Sequence, residues 1–172
     1  MEEHNTQRGM GRGMLYISWI LVLIGLTYFF GLREKQEFNP NQNIVSSEAD
    51  GVREITLKRN KFHHYVASGT INDVGVVFML DTGATDVAVP QSLARKLNLK
   101  KGYKSRVMTA NGTVEVYTTS INKLELGPIV LHNVSATINP YMEGNDILLG
   151  MSVLKNLEFS QTGDNLTLRQ NY

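Results

Sequence analysis

The sequence contains 172 residues, which is enough for one ordinary domain and some additional segments. Its formal net charge is +1, so the charge balance does not indicate a strongly charged partner, and we predict no nucleic-acid binding. The sequence has no cysteine, which excludes disulfide bonds, thiolate catalysis and cysteine-based zinc sites within it.

The first predicted element is the uncharged apolar run MLYISWILVLIGLTYFFGL at residues 14–32. A helix of this length spans about 28 Å, which is close to the hydrocarbon thickness of a bilayer. The run is longer than the apolar region of a typical signal peptide, and no small-residue cleavage signal follows it closely. We therefore predict an uncleaved transmembrane anchor at residues 14–32, preceded by a short N-terminal tail at residues 1–13.

The charged residues on both sides of the anchor do not indicate its orientation. Arg8 and Arg12 precede the anchor, and Arg33 and Lys35 follow it, so the positive-inside rule gives no preference.

Residues 33–51, REKQEFNPNQNIVSSEADG, are polar and show no apolar period. This composition predicts a flexible linker between the anchor and the next domain.

The remaining residues, 52–172, predict a compact all-β domain, because short β-rich runs alternate with turn residues. Two brief helices are predicted at residues 91–99 and 151–157. His63 and His64 are adjacent on a predicted strand and would point to opposite faces, so they cannot bind one metal together, and we predict neither a metal nor a cofactor. The predicted strands lie within residues 53–72, 74–80, 103–126, 129–138, 146–149 and 157–170, with a hairpin turn at Asn111-Gly112.

The segment FMLDTGAT, residues 78–85, carries a carboxylate at the end of an apolar strand that we expect to be buried on both faces. An aspartate in this position can cap a turn and have no other role. The tripeptide Asp81-Thr82-Gly83 within this segment also suits a tight loop at the bottom of a cleft, where Asp81 faces a second carboxylate. Gly83 permits a close backbone approach there, and Thr82 can form a hydrogen bond to a partner loop.

Together with ANG at residues 110–112 and DILLGMSVL at residues 146–154, this segment resembles the retropepsin-like aspartic proteases. More narrowly, it is similar to the membrane-anchored, single-domain members found in bacteria. The resemblance covers residues 53–168 and implies a retropepsin-like acid protease β-barrel, in which one protomer is half of a pepsin-like enzyme. It implies that Asp81 is catalytic and that the Leu148-Leu149-Gly150 strand end crosses the loop carrying it. The implied support of the active-site loop consists of Thr82, Gly83, Ala84, Leu149 and Gly150.

The resemblance also implies a flap over the substrate, formed by the hairpin from about Val107 to Val116. Retroviral relatives usually carry an acidic residue that contacts the substrate backbone at the position of Thr85. Asp86, one position further on, is the candidate for this role here. The implied substrate and flap residues are Asp86, Met108, Thr109, Ala110, Asn111 and Gly112.

An aspartic protease needs two carboxylates about 3 Å apart that share one proton. This sequence has a single Asp-Thr-Gly motif, because none of its other aspartates is followed by Thr-Gly or Ser-Gly. The predicted active species is therefore a C₂ homodimer joined through the Asp81 loops. In it, Asp81 and its copy activate a water molecule that hydrolyses a peptide bond of a polypeptide substrate.

The resemblance further implies a location. With residues 14–32 in the lipid bilayer, we expect a single-pass protein of the bacterial inner membrane whose protease domain lies in the periplasm.

Two other interpretations are compatible with the same residues. The domain can retain the protease fold as a non-catalytic protein-binding or scaffold domain, since a fold alone does not establish a function. It can also be an unrelated small β-barrel adaptor with a chance Asp-Thr-Gly. Replacement of Asp81 by Asn distinguishes the enzyme from the scaffold, because an aspartate that only caps a turn tolerates this change.

Overall fold

The structure, a computed structural model, describes residues 3–109 and 112–171 of the chain. The chain divides into two compact units, Met1–Glu37 and Phe38–Tyr172. The first unit is helical and the second contains all of the described strands, so the predicted all-β domain is confirmed.

The helices are α1 (Glu3–Phe38), α2 (Gln91–Ala94) and α3 (Met151–Leu154). The strands are β1 (Val45–Ala49), β2 (Val52–Lys58), β3 (Val66–Ile71), β4 (Val74–Leu80), β5 (Val87–Pro90), β6 (Lys104–Thr109), β7 (Gly112–Leu126), β8 (Ile129–Asn139), β9 (Asp146–Leu149), β10 (Glu158–Thr162) and β11 (Asn165–Asn171).

Helix α1 is longer than the predicted anchor. The predicted residues 14–32 lie inside the candidate membrane span Gly13–Phe38, a segment of 26 residues whose apolar 18-residue window has a mean hydropathy of 2.0. Large apolar side chains such as Trp19 and Phe30 are exposed, at 61% and 60%. This helix is long and apolar enough to cross a membrane.

The structure differs from the predicted flexible linker at residues 33–51. Its first residues continue α1, and its last part contains β1, which pairs antiparallel with β2 from Val45↔Thr56 to Ala49↔Val52. An isolated parallel bridge also joins Asn41 to Ala67. The segment that follows α1 is therefore part of the β unit.

Buried asparagines explain why the polar composition was misleading. The Asn41 Nδ2 group donates to the carbonyl oxygens of Lys58 and Val66, at 2.9 and 2.7 Å, and its Oδ1 accepts the Lys58 N–H at 2.7 Å. Asn39 donates to Ser68 Oγ at 2.9 Å. Asparagine is typical of loops because it competes for backbone hydrogen bonds, and here the same property attaches the segment to β2 and β3.

The strands form two sheets. One has four antiparallel strands in the order β1-β2-β11-β10. The other has seven strands in the order β3-β4-β9-β5-β8-β7-β6. Its first strand also pairs with β7, at Thr70↔Glu125 and Ile71↔Leu124, so this sheet closes on itself as the barrel that was predicted.

One crossing in the seven-stranded sheet creates the candidate site. Strand β9 lies between β4 and β5, parallel to β4 and antiparallel to β5. Since β4 and β5 are consecutive in the chain, the connection at residues 81–86 must pass over the end of β9. The predicted Asp81 motif and the predicted glycine-terminated strand therefore meet.

The core contains the aliphatic residues of both sheets and of the two short helices, with Phe78 as its largest fully buried side chain. Strand β4 was expected to be buried on both faces, and this expectation is wrong. Phe78 is fully buried, whereas Val77 and Met79 are half-buried. Only one face of this strand packs on the core, because the other belongs to the open side of the barrel wall.

Smaller differences concern turns and helix lengths. The β6–β7 hairpin forms as predicted, and its last described pair is Thr109 with Gly112. Ala110 and Asn111 lie outside the described residues, so the predicted turn at Asn111-Gly112 stays a prediction. Helices α2 and α3 begin where predicted and each has only four residues. His63 and His64 lie in the loop between β2 and β3 rather than on a strand.

Candidate active site

Asp81 directly follows β4, at the end of the pairing with β9. The register pairs Leu80 with Leu149, and the Asp81 N–H donates to the Leu149 carbonyl at 3.2 Å. The ladder therefore continues by one bond into the loop. The backbone of Asp81 is fixed by the strand that the sequence predicted would cross it, while its side chain stays partly exposed.

The loop turns back on the Asp81 carboxylate itself. Oδ1 accepts the Gly83 N–H at 2.9 Å, and the Ala84 N–H donates to the Asp81 carbonyl at 3.2 Å. A Cβ added at position 83 would lie 3.2 Å from the same Oδ1, which is a tighter approach than most Cβ atoms make. The local turn orients the carboxylate, as in other aspartate turns, and leaves Oδ2 without a hydrogen-bond partner among the described residues.

Gly150 permits the close crossing of the loop and the β9–α3 connection. A Cβ added at this position would lie 2.6 Å from the Ala84 carbonyl oxygen and closer still to that of Asp86. The residues after Gly150 bind the loop directly: the Met151 and Ser152 N–H groups donate to the Ala84 and Thr85 carbonyls, both at 2.8 Å. The predicted supporting residues Gly83, Ala84, Leu149 and Gly150 are thus brought together around Asp81.

Ser152 is a positioning residue that sequence reasoning missed. Its Oγ accepts the Val87 N–H at 3.2 Å and donates to the Ser135 carbonyl at 3.0 Å. The side chain therefore connects the C-terminal end of the Asp81 loop to β8. In the sequence it appears only as a polar residue of a short helix, which gives no signal of this role.

Thr82, Thr85 and Asp86 complete the loop. Thr82 and Thr85 are exposed and Asp86 is half-buried. The Thr82 hydroxyl forms no hydrogen bond with any described part of this chain, so it is accessible to a second molecule. The backbone of Asp86 packs against Gly150, whereas the contact of its side chain with a substrate stays a prediction.

The predicted flap is a two-stranded ribbon. Its described end includes Met108, which is 88% exposed, and Thr109, whose Oγ1 donates to the Gly112 carbonyl at 2.8 Å. Gly112 has a φ of +108°, which suits glycine. The predicted flap residues Ala110 and Asn111 lie outside the described residues. The role of this hairpin over a substrate stays a prediction.

A further carboxylate lies on β9, at the end of the β4–β9 pairing that is remote from Asp81. Asp146, the first residue of β9, is partly buried, and this burial raises the pKa of its carboxyl. Within residues 3–109 and 112–171, no group of three or more histidines or carboxylates is arranged to hold a metal ion. The chemistry that these residues offer is that of carboxylates.

Comparison with known proteins gives one family. A sequence profile described as "gag-polyprotein putative aspartyl protease" matches residues 67–156, which include the Asp81 loop, β9 and Gly150.

Individual relatives come from bacteria. An uncharacterized protein of Sinorhizobium from the cobV 5′ region is 28% identical over 178 aligned residues, which cover 95% of this chain and 76% of that protein. An uncharacterized protein of Rickettsia prowazekii (strain Madrid E) is 32% identical over 108 residues, covering 60% of this chain and 46% of that protein.

A solved structure is also similar. The crystal structure of a retropepsin-like aspartic protease from Rickettsia conorii superimposes with a TM-score of 0.61 at 29% identity. The alignment covers 74% of this chain and 96% of that one.

Proposed function

This chain belongs to the gag-polyprotein aspartyl protease family, and we propose that it is a membrane-anchored aspartic endopeptidase that works as a homodimer. The observation that carries the proposal is the position of Asp81. Its backbone is hydrogen-bonded to Leu149, its carboxylate is oriented by the Gly83 N–H, and Gly150 permits the close crossing. A carboxylate that only capped a turn would not need this support from a second strand.

The proposed chemistry uses two carboxylates in different protonation states. Two carboxyl groups about 3 Å apart cannot both ionise, so the pair shares one proton. The ionised group acts as a general base on a water molecule, and the protonated group polarises the scissile carbonyl. As the general base takes a proton from the water, the water oxygen adds to that carbonyl carbon. The scissile C–N bond then breaks, and a proton passes from the carboxyl pair to the leaving amine, so the products are a carboxylic acid and an amine. No metal or cofactor is required for these steps.

The second carboxylate is proposed to come from a second copy of this chain. The sequence contains one Asp-Thr-Gly motif, and a two-fold axis beside Asp81 would place two identical loops face to face. The exposed Thr82 is then available to bond across the axis. We propose that the homodimer forms through these loops and binds a polypeptide in an extended conformation, with Asp86 and the β6–β7 hairpin in contact with it.

The membrane part of the proposal depends on α1. Residues 14–32 would cross the lipid bilayer, and confinement to two dimensions raises the effective concentration of the second protomer. The bacterial origin of the relatives supports an inner-membrane location. We propose that the protease domain lies in the periplasm, and protease protection of the β unit in intact spheroplasts would contradict that orientation.

The first test is Asp81→Asn in the full-length chain, solubilised in detergent. We expect cleavage of a denatured protein substrate to be lost, by a factor of about 10⁴ or more, with the fold and the oligomeric state unchanged. Asp50→Asn is the matched control. Asp50 is an exposed turn residue with a φ of 52°, a conformation that asparagine also adopts. Cleavage that survives Asp81→Asn would contradict the catalytic role of Asp81, and absence of cleavage by the wild-type chain would favour the non-catalytic scaffold.

The second test addresses the shared site. Wild-type and Asp81→Asn chains, carrying different tags, are co-expressed in equal amounts and purified as a mixture. If each active site needs Asp81 from both chains, activity falls to about one quarter of the wild-type value, because only wild-type homodimers cleave. Activity of about one half would mean that each chain has its own site and would overturn the shared pair of Asp81 carboxylates.

A further inference from the structure

The side chains of β4 and β9 alternate between two faces of the barrel wall. Phe78, Ile147 and Leu149 are fully buried in the core. The residues that alternate with these along β4 and β9 are half-buried. They lie on the other side of the wall, because successive side chains of a strand point to opposite faces. We call this other side the cleft face, and it comprises Val77, Met79, Asp81, Asp146 and Leu148.

Asp146 lies on the cleft face at a defined distance from Asp81. The register pairs Asp146 with Val77, four positions before Asp81 on the neighbouring strand. At about 3.3 Å per residue, the two aspartates are about 13 Å apart along the strand direction. An extended peptide that runs from Asp81 along β4 covers this distance with about four residues and so reaches Asp146.

The Asp146 carboxylate has no compensating partner in the part of the chain that the structure describes. It accepts no hydrogen bond and forms no ion pair there. Lys96 and Asn145 line a groove of about 420 Å³ with Val77, the strand partner of Asp146, but Lys96 does not pair with Asp146. A partly buried carboxylate without a partner is an unfavourable arrangement for the free protein.

We propose that Asp146 is a specificity-determining residue that binds a positively charged side chain of the polypeptide substrate, within about four residues of the scissile bond. This inference rests on the proposed function. A lysine or arginine that approaches along the cleft face would form a charge-assisted hydrogen bond with the carboxylate. In the homodimer there are two copies of Asp146, one on each side of the scissile bond.

The same geometry selects against other side chains. A bound peptide removes water from the carboxylate, and an apolar side chain over it would leave the charge without hydrogen bonds. A glutamate would add repulsion between like charges. The preference therefore has an attractive and a repulsive component, and it depends on one residue that does not touch the reacting atoms.

The experiment measures binding separately from cleavage. The full-length Asp81→Asn chain in detergent is titrated with end-blocked peptides that have a central apolar pair and otherwise alanine and serine. Lysine, norleucine or glutamate is placed in turn at each of the four positions on either side. The titrations are repeated with Asp146→Asn added, and with Asp50→Asn added as the matched carboxylate control.

We expect one position at which lysine binds about ten-fold more tightly than norleucine and glutamate binds worst. Asp146→Asn should reduce this preference to below about two-fold, and Asp50→Asn should leave it unchanged. Absence of any lysine preference, or a preference that survives Asp146→Asn, would overturn the proposal.

Cleavage of the same peptides by the wild-type chain separates this inference from the proposed function. Asp81-dependent cleavage without charge selection counts against Asp146 alone. Selective binding without cleavage supports the role of Asp146 and counts against the peptidase.

Discussion

The Asp81 loop and the β6–β7 hairpin, which we propose to be two parts of one site, are held in very different ways. The loop at residues 81–86 is bonded to β9 and α3 through backbone groups, and its crossing at Gly150 leaves no space for a methyl group. The described end of the hairpin is a two-stranded ribbon with exposed side chains, including Met108. The loop is fixed by elements that pack in the core, whereas the end of the hairpin is supported by the hydrogen bonds between its own two strands.

This difference predicts that substitutions in the two parts change different properties of the protein. A carboxylate that activates water must be held within a fraction of an ångström, which requires rigid neighbours. A segment that covers a substrate must open, and such segments belong to the less stable parts of a fold. Changes in the loop should therefore lower the free energy of unfolding, whereas changes in the hairpin should affect activity only.

The largest effect is expected for Gly150→Ala. The added methyl group overlaps the carbonyl oxygens of Ala84 and Asp86, so either the loop or β9 must move. We expect the free energy of unfolding to fall by about 3 kcal/mol. Urea denaturation of the full-length chain in detergent, monitored by far-UV circular dichroism, measures this change.

Gly75→Ala is the control for that change. Gly75 lies in β4, its φ is not positive, and nothing lies within 4 Å of an added Cβ. This substitution should leave the free energy of unfolding unchanged or raise it slightly, because alanine restricts the unfolded chain. Equal destabilisation by both substitutions would show that the close crossing at Gly150 is not the cause of the effect.

The hairpin gives the opposite expectation. Met108→Ala truncates a side chain that is 88% exposed, so the free energy of unfolding should change by less than about 0.5 kcal/mol. If the hairpin covers the substrate, kcat/KM should fall by about ten-fold through loss of apolar contact.

Phe62→Ala is the matched control for the hairpin, because Phe62 is an apolar side chain that is 53% exposed in a loop of another part of the β unit. An unchanged kcat/KM for Met108→Ala, or an equal loss for Phe62→Ala, would argue against the flap.

Most strands and the starts of the two short helices could be predicted from the sequence, because they depend on local signals such as apolar runs and turn residues. The meeting of Asp81 with Gly150 was implied by the resemblance of the two motifs to one protease family. β1 and Ser152 depend on partners far away in the chain. Asn41 looks like a linker residue until Lys58 and Val66 are placed beside it, and no window of sequence contains all three.

The two faces of β4 were missed for a related reason. Its continuous apolar run, Val76 to Leu80, is typical of a strand buried on both sides. Met79 and Val77 are half-buried because the second face is open in one chain. A residue pattern reports that a side chain is apolar and does not report whether the surface that covers it belongs to the same molecule.

The smallest effect concerns Asp146, which lies on the rigid side of the site but is expected to lower stability. Burial raises the pKa of its carboxyl in the folded protein above the ordinary value of 3.8. Below that value Asp146 is protonated in both states and costs nothing. As the pH rises through the folded-state pKa, ionisation is easier in the unfolded chain, so the folded state loses stability.

Asp146→Asn should therefore raise the free energy of unfolding at pH 7 relative to wild type, and the difference should disappear as the pH approaches 3.8. Urea denaturation across this pH range, with Asp50→Asn as the control, measures it. A variant that is less stable than wild type at pH 7 would mean that the carboxylate has a stabilising partner. A variant that is more stable and has lost its preference for lysine would identify Asp146 as a carboxylate that improves substrate selection at a cost in stability.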